Sequence, residues 1–167
     1  TEVNSGMYFF DIQKLKESLS KITNDNSQGE YYITDVIEIM LSEGEKVGAY
    51  VTDLEQTMGV NDKLQLSQVG KILNRRKVEA LMLAGVTIID PDKVQVTTDV
   101  KVGRDTVLYP GTVLEGDTVI GENCVIGSNT SLNNCKVGNN TKILETVGID
   151  SEIGSDTNVG PFEYLRP

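Results

Sequence analysis

The sequence predicts a parallel β-solenoid in its second half, preceded by an α/β segment and a long helix. The main observation is an aliphatic residue at every sixth position: Val96, Val102, Leu108, Leu114, Ile120, Ile126 and Leu132. A strand alternates every two residues and a helix repeats about every 3.6, so this period fits neither element alone. It fits short strands joined by corners, which stack their aliphatic side chains in one column.

Small residues and turn residues mark the predicted corners. Four positions after each aliphatic residue from 102 onward lies a small side chain: Thr106, Thr112, Thr118, Cys124 and Thr130. Before each comes a type that adopts a left-handed backbone at low cost: Asp105, Gly111, Asp117, Asn123 and Asn129. The pattern resembles the left-handed β-helix family, whose coils are triangular prisms of three hexads. A β-sandwich with evenly spaced turns is the alternative, and the in-phase aliphatic residues argue against it.

Beyond Leu132 the phase of the repeat slips. The next inward positions are predicted to be Val137, Ile143 and Ile149, followed in a new phase by Ile153, Val159 and Leu165. Such slips indicate corners that are widened or tightened by a residue, as β-bulges are in other sheets. The pattern stops in mid-repeat at Pro167, and we expect the chain to be part of a longer protein at both ends.

Composition excludes several functions. The 167 residues are 38% hydrophobic and 24% charged, with a net charge of −10, two cysteines and no histidine. We expect a soluble protein with no membrane span or signal segment. The acidic balance argues against a nucleic acid partner, because phosphate contacts need an excess of Lys and Arg. Lack of histidine excludes Ser–His and Cys–His catalysis and histidine metal sites.

Strands and helices alternate before residue 60. The runs Met7–Phe10 and Val47–Val51 are typical of strands. One helix is predicted after a cap at Asp11, and a second runs from a cap at Thr34 to a stop at Gly44. The expected apolar faces are Ile12, Leu15, Leu19 and Ile22 in the first helix, and Ile37, Met40 and Leu41 in the second.

A long helix is predicted to connect this α/β segment to the solenoid. It spans about Ser67 to Ala84, with Gly85 as its stop, and the strand Val86–Asp90 follows before Pro91. A helix of this length can act as a strut between two domains, since it rises about 1.5 Å per residue. It can equally pack on the open end of the solenoid as a cap.

Five segments carry a resemblance to one enzyme family. They are Asn4–Gly6, Gln28–Asp35, Gly59–Ser67, Leu83–Pro91 and Gly160–Pro167, in that order along the whole chain. Together they resemble the bacterial bifunctional N-acetylglucosamine-1-phosphate uridyltransferase and glucosamine-1-phosphate N-acetyltransferase. The resemblance implies the C-terminal part of a Rossmann-like uridyltransferase (pyrophosphorylase) domain at 1–62. It also implies a linker helix and strand at 63–90. Residues 91–167 would then form the N-terminal part of a left-handed β-helix acetyltransferase domain.

The resemblance also implies the chemistry. The family transfers an acetyl group from acetyl-CoA to glucosamine 1-phosphate, and then joins UTP to N-acetylglucosamine 1-phosphate, giving UDP-N-acetylglucosamine. Asn4 matches a family asparagine that contacts the sugar nucleotide. Asn61 matches one that touches the nucleotide and binds Mg²⁺ together with an aspartate, and Mg²⁺ prefers such oxygen ligands. Arg166 matches the arginine that holds the sugar phosphate, for which a guanidinium is well suited.

Departures from the family pattern limit what this chain is expected to do alone. The glycine-rich nucleotide loop and the aspartate that shares the magnesium are missing, and the family's catalytic histidine and lysine lie beyond Pro167. We therefore assign no catalytic residue here and expect the chain alone to be inactive. Two cysteines make no disulfide scaffold, so a reducing, cytoplasmic setting is expected. The resemblance implies a homotrimer that associates through its β-helix, and we expect no nucleic acid or membrane partner. The alternatives are another sugar-1-phosphate nucleotidyltransferase with a β-helix tail, and a non-catalytic trimerisation scaffold.

Overall fold

The computed structural model describes residues 3–167, which form two compact units divided between Met58 and Gly59. The first unit contains α1 (Ile12–Leu19), α2 (Asp35–Ser42) and a 3-10 turn (Leu54–Gln56). The second contains α3 (Lys63–Leu83), a 3-10 turn (Pro91–Lys93) and fourteen short strands. No helix among the described residues is long and apolar enough to cross a membrane.

Both helices of the first unit start where the sequence predicts, and α2 also stops there, whereas α1 ends at Leu19, before the predicted Ile22. The Asp11 carboxylate accepts hydrogen bonds from the backbone N–H groups of Gln13 and Lys14, at 3.0 and 3.1 Å. α2 follows Thr34, although the Thr34 side chain makes no capping bond. Gly44 follows the end of α2 with a φ of 81°, a left-handed conformation that glycine adopts without strain.

The apolar faces of these helices are less buried than predicted. Val36 and Met40 of α2 are the buried hydrophobic residues of this unit among residues 3–58. Leu41, predicted to be buried, is exposed, and Ile22 lies beyond the end of α1.

The prediction of two strands in the first unit is wrong. Residues 7–10 and 47–51 have no strand conformation, and Met7, Phe9, Tyr50 and Val51 are exposed. A strand forms only where a neighbouring backbone pairs with it. No such pairing involves these segments among residues 3–167. An α/β sheet is therefore not seen in this unit.

The strands of the second unit wind into a parallel β-helix. They are β1 (Thr87–Ile88), β2 (Gln95–Val96), β3 (Lys101–Val102), β4 (Val107–Leu108), β5 (Val113–Glu115), β6 (Val119–Ile120), β7 (Val125–Ile126), β8 (Ser131–Asn133), β9 (Lys136–Val137), β10 (Lys142–Ile143), β11 (Val147–Ile149), β12 (Glu152–Ile153), β13 (Asn158–Val159) and β14 (Tyr164–Leu165). Three successive strands make one coil, and strands at the same place in each coil pair in parallel. Sheet A is β1-β4-β7-β10-β13, sheet B is β2-β5-β8-β11-β14, and sheet C is β3-β6-β9-β12.

The period of six arises from a column of buried side chains. Six of the seven aliphatic residues from Val96 to Leu132 are buried, and Val102 is half-buried against the same core. Each central residue of a strand lies beside its counterpart in the next coil, as Leu114 does beside Leu132. The predicted solenoid is thus confirmed, and the β-sandwich alternative is excluded by the parallel pairing of all three sheets.

The corners carry the predicted small residues in buried positions. Thr106, Thr112, Thr118, Cys124 and Thr130 are all fully buried. The Thr106 hydroxyl donates to the Gly121 carbonyl at 2.9 Å and accepts from the Cys124 N–H at 3.0 Å, so it ties one coil to the next. Asp105, Gly111, Asn123 and Asn129 have the predicted left-handed backbone. Asp117 does not, because Gly116 takes the left-handed position at that corner.

One of the inward positions predicted after the phase slip is also wrong. Val137 and Ile143 are buried as predicted, whereas Ile149 is exposed and Gly148 occupies the inward position. Ser131 pairs with Val113, eighteen residues earlier, and with Val147, only sixteen residues later. The shorter coil turns Gly148 inward, and there a Cβ atom would lie 2.9 Å from Leu132 Cδ2. Because Gly148 has no side chain, there is room beside it for Leu132 of the preceding coil.

Helix α3 closes the first coil of the β-helix. Val78 and Leu81 are buried in the same core as the strand residues, and α3 contacts β1 and β2. The helix begins at Lys63, four residues before the predicted Ser67, because the Asp62 carboxylate accepts the Gln65 N–H. It ends at Leu83, before Gly85, whose φ is 101°. The strand predicted at Val86–Asp90 is present as β1, and it pairs with β4 as part of the first coil.

Candidate functional site

Arg166 lies on the outer surface of the last coil that the structure describes. β14 pairs with β11 so that Leu165 lies beside Gly148 and is half-buried against the core. Because side chains alternate along a strand, Tyr164 and Arg166 point outward, and both are exposed. The guanidinium carbon lies 5.4 Å from the centre of the Tyr164 ring, which is a cation–π distance.

The charge of Arg166 is available to an anion. Among residues 3–167, no carboxylate forms an ion pair with this guanidinium within 4.0 Å. Asp150 and Glu152 nevertheless line the same shallow depression as Arg166. A phosphate bound there would accept hydrogen bonds from the guanidinium and would be repelled by the two nearby carboxylates.

Asn61 lies just before α3, with an exposed side chain. Its backbone N–H donates to the Gln65 Oε1 atom at 2.7 Å, and the helix cap itself is Asp62. Asn61 therefore lies one residue before the cap and does not itself cap α3. This arrangement fixes the backbone of Asn61 and leaves its amide oxygen free of a described partner.

The described residues do not make a magnesium site by themselves. Mg²⁺ takes about six oxygen ligands, usually with one or two carboxylates. Asn61 offers one neutral oxygen, and the neighbouring Asp62 carboxylate already accepts the Gln65 N–H at 2.7 Å. No group of three or more His, Cys, Asp or Glu residues in the described part of the chain could hold a metal ion. Magnesium on Asn61 therefore requires ligands other than these residues.

Asn4 lies in the first unit, whereas Asn61 and Arg166 lie in the second. Its side-chain oxygen accepts the Gly6 N–H at 2.9 Å, and its side-chain nitrogen donates to the Tyr8 hydroxyl at 2.5 Å. Both bonds are local and exposed, so they shape the turn at Gly6, whose φ is 75°. Asn61 and Arg166 lie near the first and the last residue of the second unit, and the structure shows no contact between them.

Two polar residues of α3 that the sequence analysis missed hold the first coil. The Asn74 side-chain nitrogen donates to the Val94 carbonyl and its oxygen accepts the Val96 N–H, both at 2.9 Å. The Lys77 ammonium donates to the carbonyls of Thr98 and Val100, both at 2.7 Å. These bonds satisfy backbone groups on the free edge of the first coil. The available signal was an amide and a lysine on the helix face that also carries Val78 and Leu81.

The shifted pKa values belong to structural pairs. The Lys93 ammonium, 2.8 Å from the Asp90 carboxylate, lowers the pKa of Asp90 and has its own pKa raised by the same bond. The pair bridges the turn between β1 and β2. In the first unit, the hydrogen bond to Glu45 raises the pKa of Lys14. None of these residues adjoins Asn4, Asn61 or Arg166, so these shifts do not indicate a catalytic acid or base.

Comparisons with known proteins agree with the fold. Residues 99–134 match the family described as bacterial transferase hexapeptide, with six repeats. This segment contains the period of six from Val102 to Leu132, and its match supports the left-handed β-helix prediction. A crystal structure of Neisseria gonorrhoeae serine acetyltransferase in complex with serine is a distant likeness. It has 21% identity and a TM-score of 0.33 over 62% of this chain and 54% of that one, too low to carry an argument.

Curated relatives extend the similarity beyond the repeats. The bifunctional protein GlmU of Clostridium kluyveri is 52% identical over 110 residues, which are 66% of this chain and 24% of that protein. GlmU of Caldanaerobacter subterraneus subsp. tengcongensis is 53% identical with the same coverage. Over this stretch the chain is similar to GlmU. The predicted resemblance to the bifunctional family is thus confirmed, and the chain spans 24% of the length of these GlmU proteins.

Proposed function

We propose that this chain is a portion of a bifunctional transferase that makes UDP-N-acetylglucosamine, and that its β-helix belongs to the acetyltransferase half. The observation that carries the proposal is the 52% identity to GlmU over 110 residues, in a chain whose hexapeptide segment forms a β-helix. The co-substrates of the first reaction are acetyl-CoA and glucosamine 1-phosphate. Those of the second are UTP and N-acetylglucosamine 1-phosphate.

The test is an assay of a protein that extends this chain to the length of its GlmU relatives. Acetyl transfer releases the thiol of coenzyme A, and uridylyl transfer releases pyrophosphate, so the two steps are measured separately. We expect both, each requiring its own sugar phosphate. Pyrophosphate release with a different nucleotide and sugar 1-phosphate would instead support another nucleotidyltransferase. Lack of both activities, with no acetyl-CoA binding by calorimetry, would support a trimerisation scaffold.

The 167-residue chain by itself is proposed to catalyse neither step. It has no histidine to act as the family's general base. Its first unit exposes apolar side chains such as Phe9 and Tyr50, as expected of a part of a larger α/β domain. Turnover by the isolated chain in either assay would contradict this proposal.

Arg166 is proposed to hold the phosphate of the sugar substrate. Its exposed guanidinium, free of a described ion pair, supports this role. In the extended protein, Arg166→Ala should raise the KM for glucosamine 1-phosphate about tenfold to a hundredfold, as expected for a lost bond to a charged group. The matched control is Lys136→Ala, which removes an exposed cation from sheet C and should leave that KM unchanged. Equal KM values in both variants would contradict the role.

Asn4 is proposed to contact the sugar nucleotide, and Asn61 to contact the nucleotide and Mg²⁺. The free amide oxygen of Asn61 supports the latter, with the remaining ligands supplied by substrate phosphates and by residues outside this chain. In the extended protein, Asn61→Ala should raise the Mg²⁺ concentration needed for half-maximal uridylyl transfer and leave acetyl transfer unaltered. An unchanged Mg²⁺ requirement would contradict the assignment. A cytoplasmic location and a homotrimer complete the proposal.

A further inference from the structure

Tyr164 is the aromatic residue that lies beside the Arg166 guanidinium on the outer surface of the last coil. Both side chains point outward, because Leu165 between them packs against the core. The guanidinium carbon lies over the ring, 5.4 Å from its centre. A ring face attracts a cation at this distance without accepting a hydrogen bond from it. The N–H groups of the guanidinium are therefore not used up by this contact.

The Tyr164 ring is itself supported by the preceding coil. Tyr164 pairs directly with Val147 of β11, while Leu165 pairs with Gly148. Directly opposed side chains on neighbouring strands pack against each other, so Val147 limits the directions that the ring can take. The ring is thus a fixed surface for the longer and more flexible arginine side chain.

Arg166 has the ring as its partner although two carboxylates are nearby. Asp150 and Glu152 line the same shallow depression, yet no carboxylate among residues 3–167 lies within 4.0 Å of the guanidinium nitrogens. A carboxylate partner would accept the parallel N–H bonds that a phosphate also needs. The ring instead holds the positive charge in place and leaves those N–H groups open.

A surface arginine loses conformational entropy when it binds a ligand, because its long side chain samples several rotamers in water. We propose that Tyr164 is a positioning residue, whose ring restricts the Arg166 side chain and so reduces the entropy lost when a phosphate binds. Tyr164 acts through Arg166 and not on the substrate. The inference rests on the proposed phosphate role of Arg166, and it adds the residue that prepares this side chain for binding.

Substitutions at Tyr164 separate the ring from its hydroxyl group. In the extended protein, Tyr164→Leu should raise the KM for glucosamine 1-phosphate about twofold to fivefold, as expected for a lost cation–π contact at an exposed site. The kcat should stay unchanged, because the contact is present before and during the reaction. Tyr164→Phe keeps a ring face and should retain the original KM. The matched control is Tyr109→Leu, which removes another exposed tyrosine from sheet A and should change neither constant.

A double substitution shows whether Tyr164 acts through Arg166. In the Arg166→Ala protein, Tyr164→Leu should cause no further rise in KM, because the ring then has no guanidinium to hold. A further rise in that background would overturn the proposal, since the ring would then contact the substrate itself. A Tyr164→Phe variant as impaired as Tyr164→Leu would also overturn it, because the hydroxyl group would be responsible.

The motion of the Arg166 side chain tests the proposal without measuring activity. Arginine Nε–H groups give NMR signals in the 167-residue chain, and Arg166→Lys identifies the signal of Arg166. We expect its order parameter to fall in Tyr164→Leu and to be retained in Tyr164→Phe, while the Arg104 signal is unaltered in both. Equal mobility of Arg166 in the unaltered chain and in Tyr164→Leu would refute the proposal. Tyr164→Gln replaces the leucine variant if circular dichroism shows that the latter is unfolded.

The two measurements distinguish failure of this inference from failure of the proposed function. If Arg166→Ala leaves the KM unchanged while Tyr164→Leu frees the Arg166 side chain, the phosphate role is lost and the positioning contact is retained. If Arg166→Ala raises the KM while Tyr164→Leu alters neither the KM nor the order parameter, the phosphate role is retained and the inference is lost.

Discussion

At the scale of single residues, Asn74 is the most informative side chain of the second unit. It pairs with a carbonyl and an N–H group of the first coil, so it acts as the neighbouring strand that this edge lacks. A part-buried backbone group without a partner costs about 1–3 kcal/mol. The asparagine thus satisfies two backbone groups at the edge of sheet B, which begins at β2.

Replacing Asn74 should therefore destabilise the β-helix. We expect Asn74→Ala to lower the free energy of unfolding of the second unit by about 1–3 kcal/mol, because two backbone groups lose their partner. Urea unfolding followed by circular dichroism measures this change. The control is Gln68→Ala on the exposed surface of α3, expected to change stability by less than about 0.5 kcal/mol. Equal effects of the two substitutions would mean that the Asn74 bonds contribute nothing.

Glycines offer a second test at this scale. At Gly138, a Cβ atom would lie 2.8 Å from the Gly154 carbonyl carbon and closer still to the Ser155 nitrogen. Both neighbours are backbone atoms of the next coil, which cannot move aside singly. We expect Gly138→Ala to cost about 1–3 kcal/mol, as overpacking does.

Gly70 in α3 is the matched control for Gly138. A Cβ atom there would meet nothing within 4 Å, and the position is exposed within a helix. Gly70→Ala should stabilise the chain by about 0.5–1 kcal/mol, since alanine loses less backbone entropy. Thermal unfolding of both variants checks the opposite signs. A stabilising Gly138→Ala would contradict the close stacking of coils at this corner.

At the scale of elements, α3 is part of the β-helix core along its second half. Val78 and Leu81 pack with the strand residues, whereas Leu64 near the start of the helix is 69% exposed. Of the two roles predicted for this helix, strut and cap, the cap is seen in its C-terminal half, which closes the first coil.

Two leucines of α3 test this division. Leu81 is 7% exposed, and Leu81→Ala should cost about 2–5 kcal/mol through lost burial and a cavity. Leu64→Ala should change stability by less than about 0.5 kcal/mol. Chemical unfolding of the second unit compares them on one helix with one type of substitution. A small cost for Leu81→Ala would show that α3 does not close the core.

The sequence predicted elements best where one chemical requirement repeats. The aliphatic residue of each hexad must be buried, so Leu108 to Leu132 could be placed by counting. Counting failed at Ile149, because a coil of sixteen residues changes which residue points inward and Gly148 can fill that place. It failed at Met7–Phe10 because a strand depends on a partner that no local pattern reveals.

The same distinction applies to the candidate site. The outward direction of Arg166 follows from its position after Leu165 in a strand. Asn74 and Lys77 share the helix face of Val78 and Leu81, but their partners could not be predicted, because polar residues in a helix ordinarily face water. Only the register of α3 against the first coil shows that they meet backbone groups. The roles of Asn4, Asn61 and Arg166 in binding stay predictions, and the substitutions described for Asn61 and Arg166 test two of them.

At the scale of the whole molecule, the two units differ in how completely they bury their apolar residues. The core of the second unit is continuous from Val78 to Ile153, and its free edge is closed by α3. The first unit buries few apolar side chains and exposes many. We therefore expect residues 59–167 to retain their circular dichroism spectrum and cooperative unfolding when produced alone. Loss of that transition would show that the β-helix needs the first unit to fold.

Amide hydrogen exchange of the intact chain tests the central claim, that α3 and the coils form one structure. If α3 caps the β-helix, amides of residues 74–83 should exchange as slowly as those of β2, while residues 63–70 exchange faster. The substitution Asn74→Ala should accelerate exchange in β2 and in residues 74–83 together. Uniformly fast exchange along the whole of α3, beside slow exchange in the coils, would contradict the claim and leave the helix a linker.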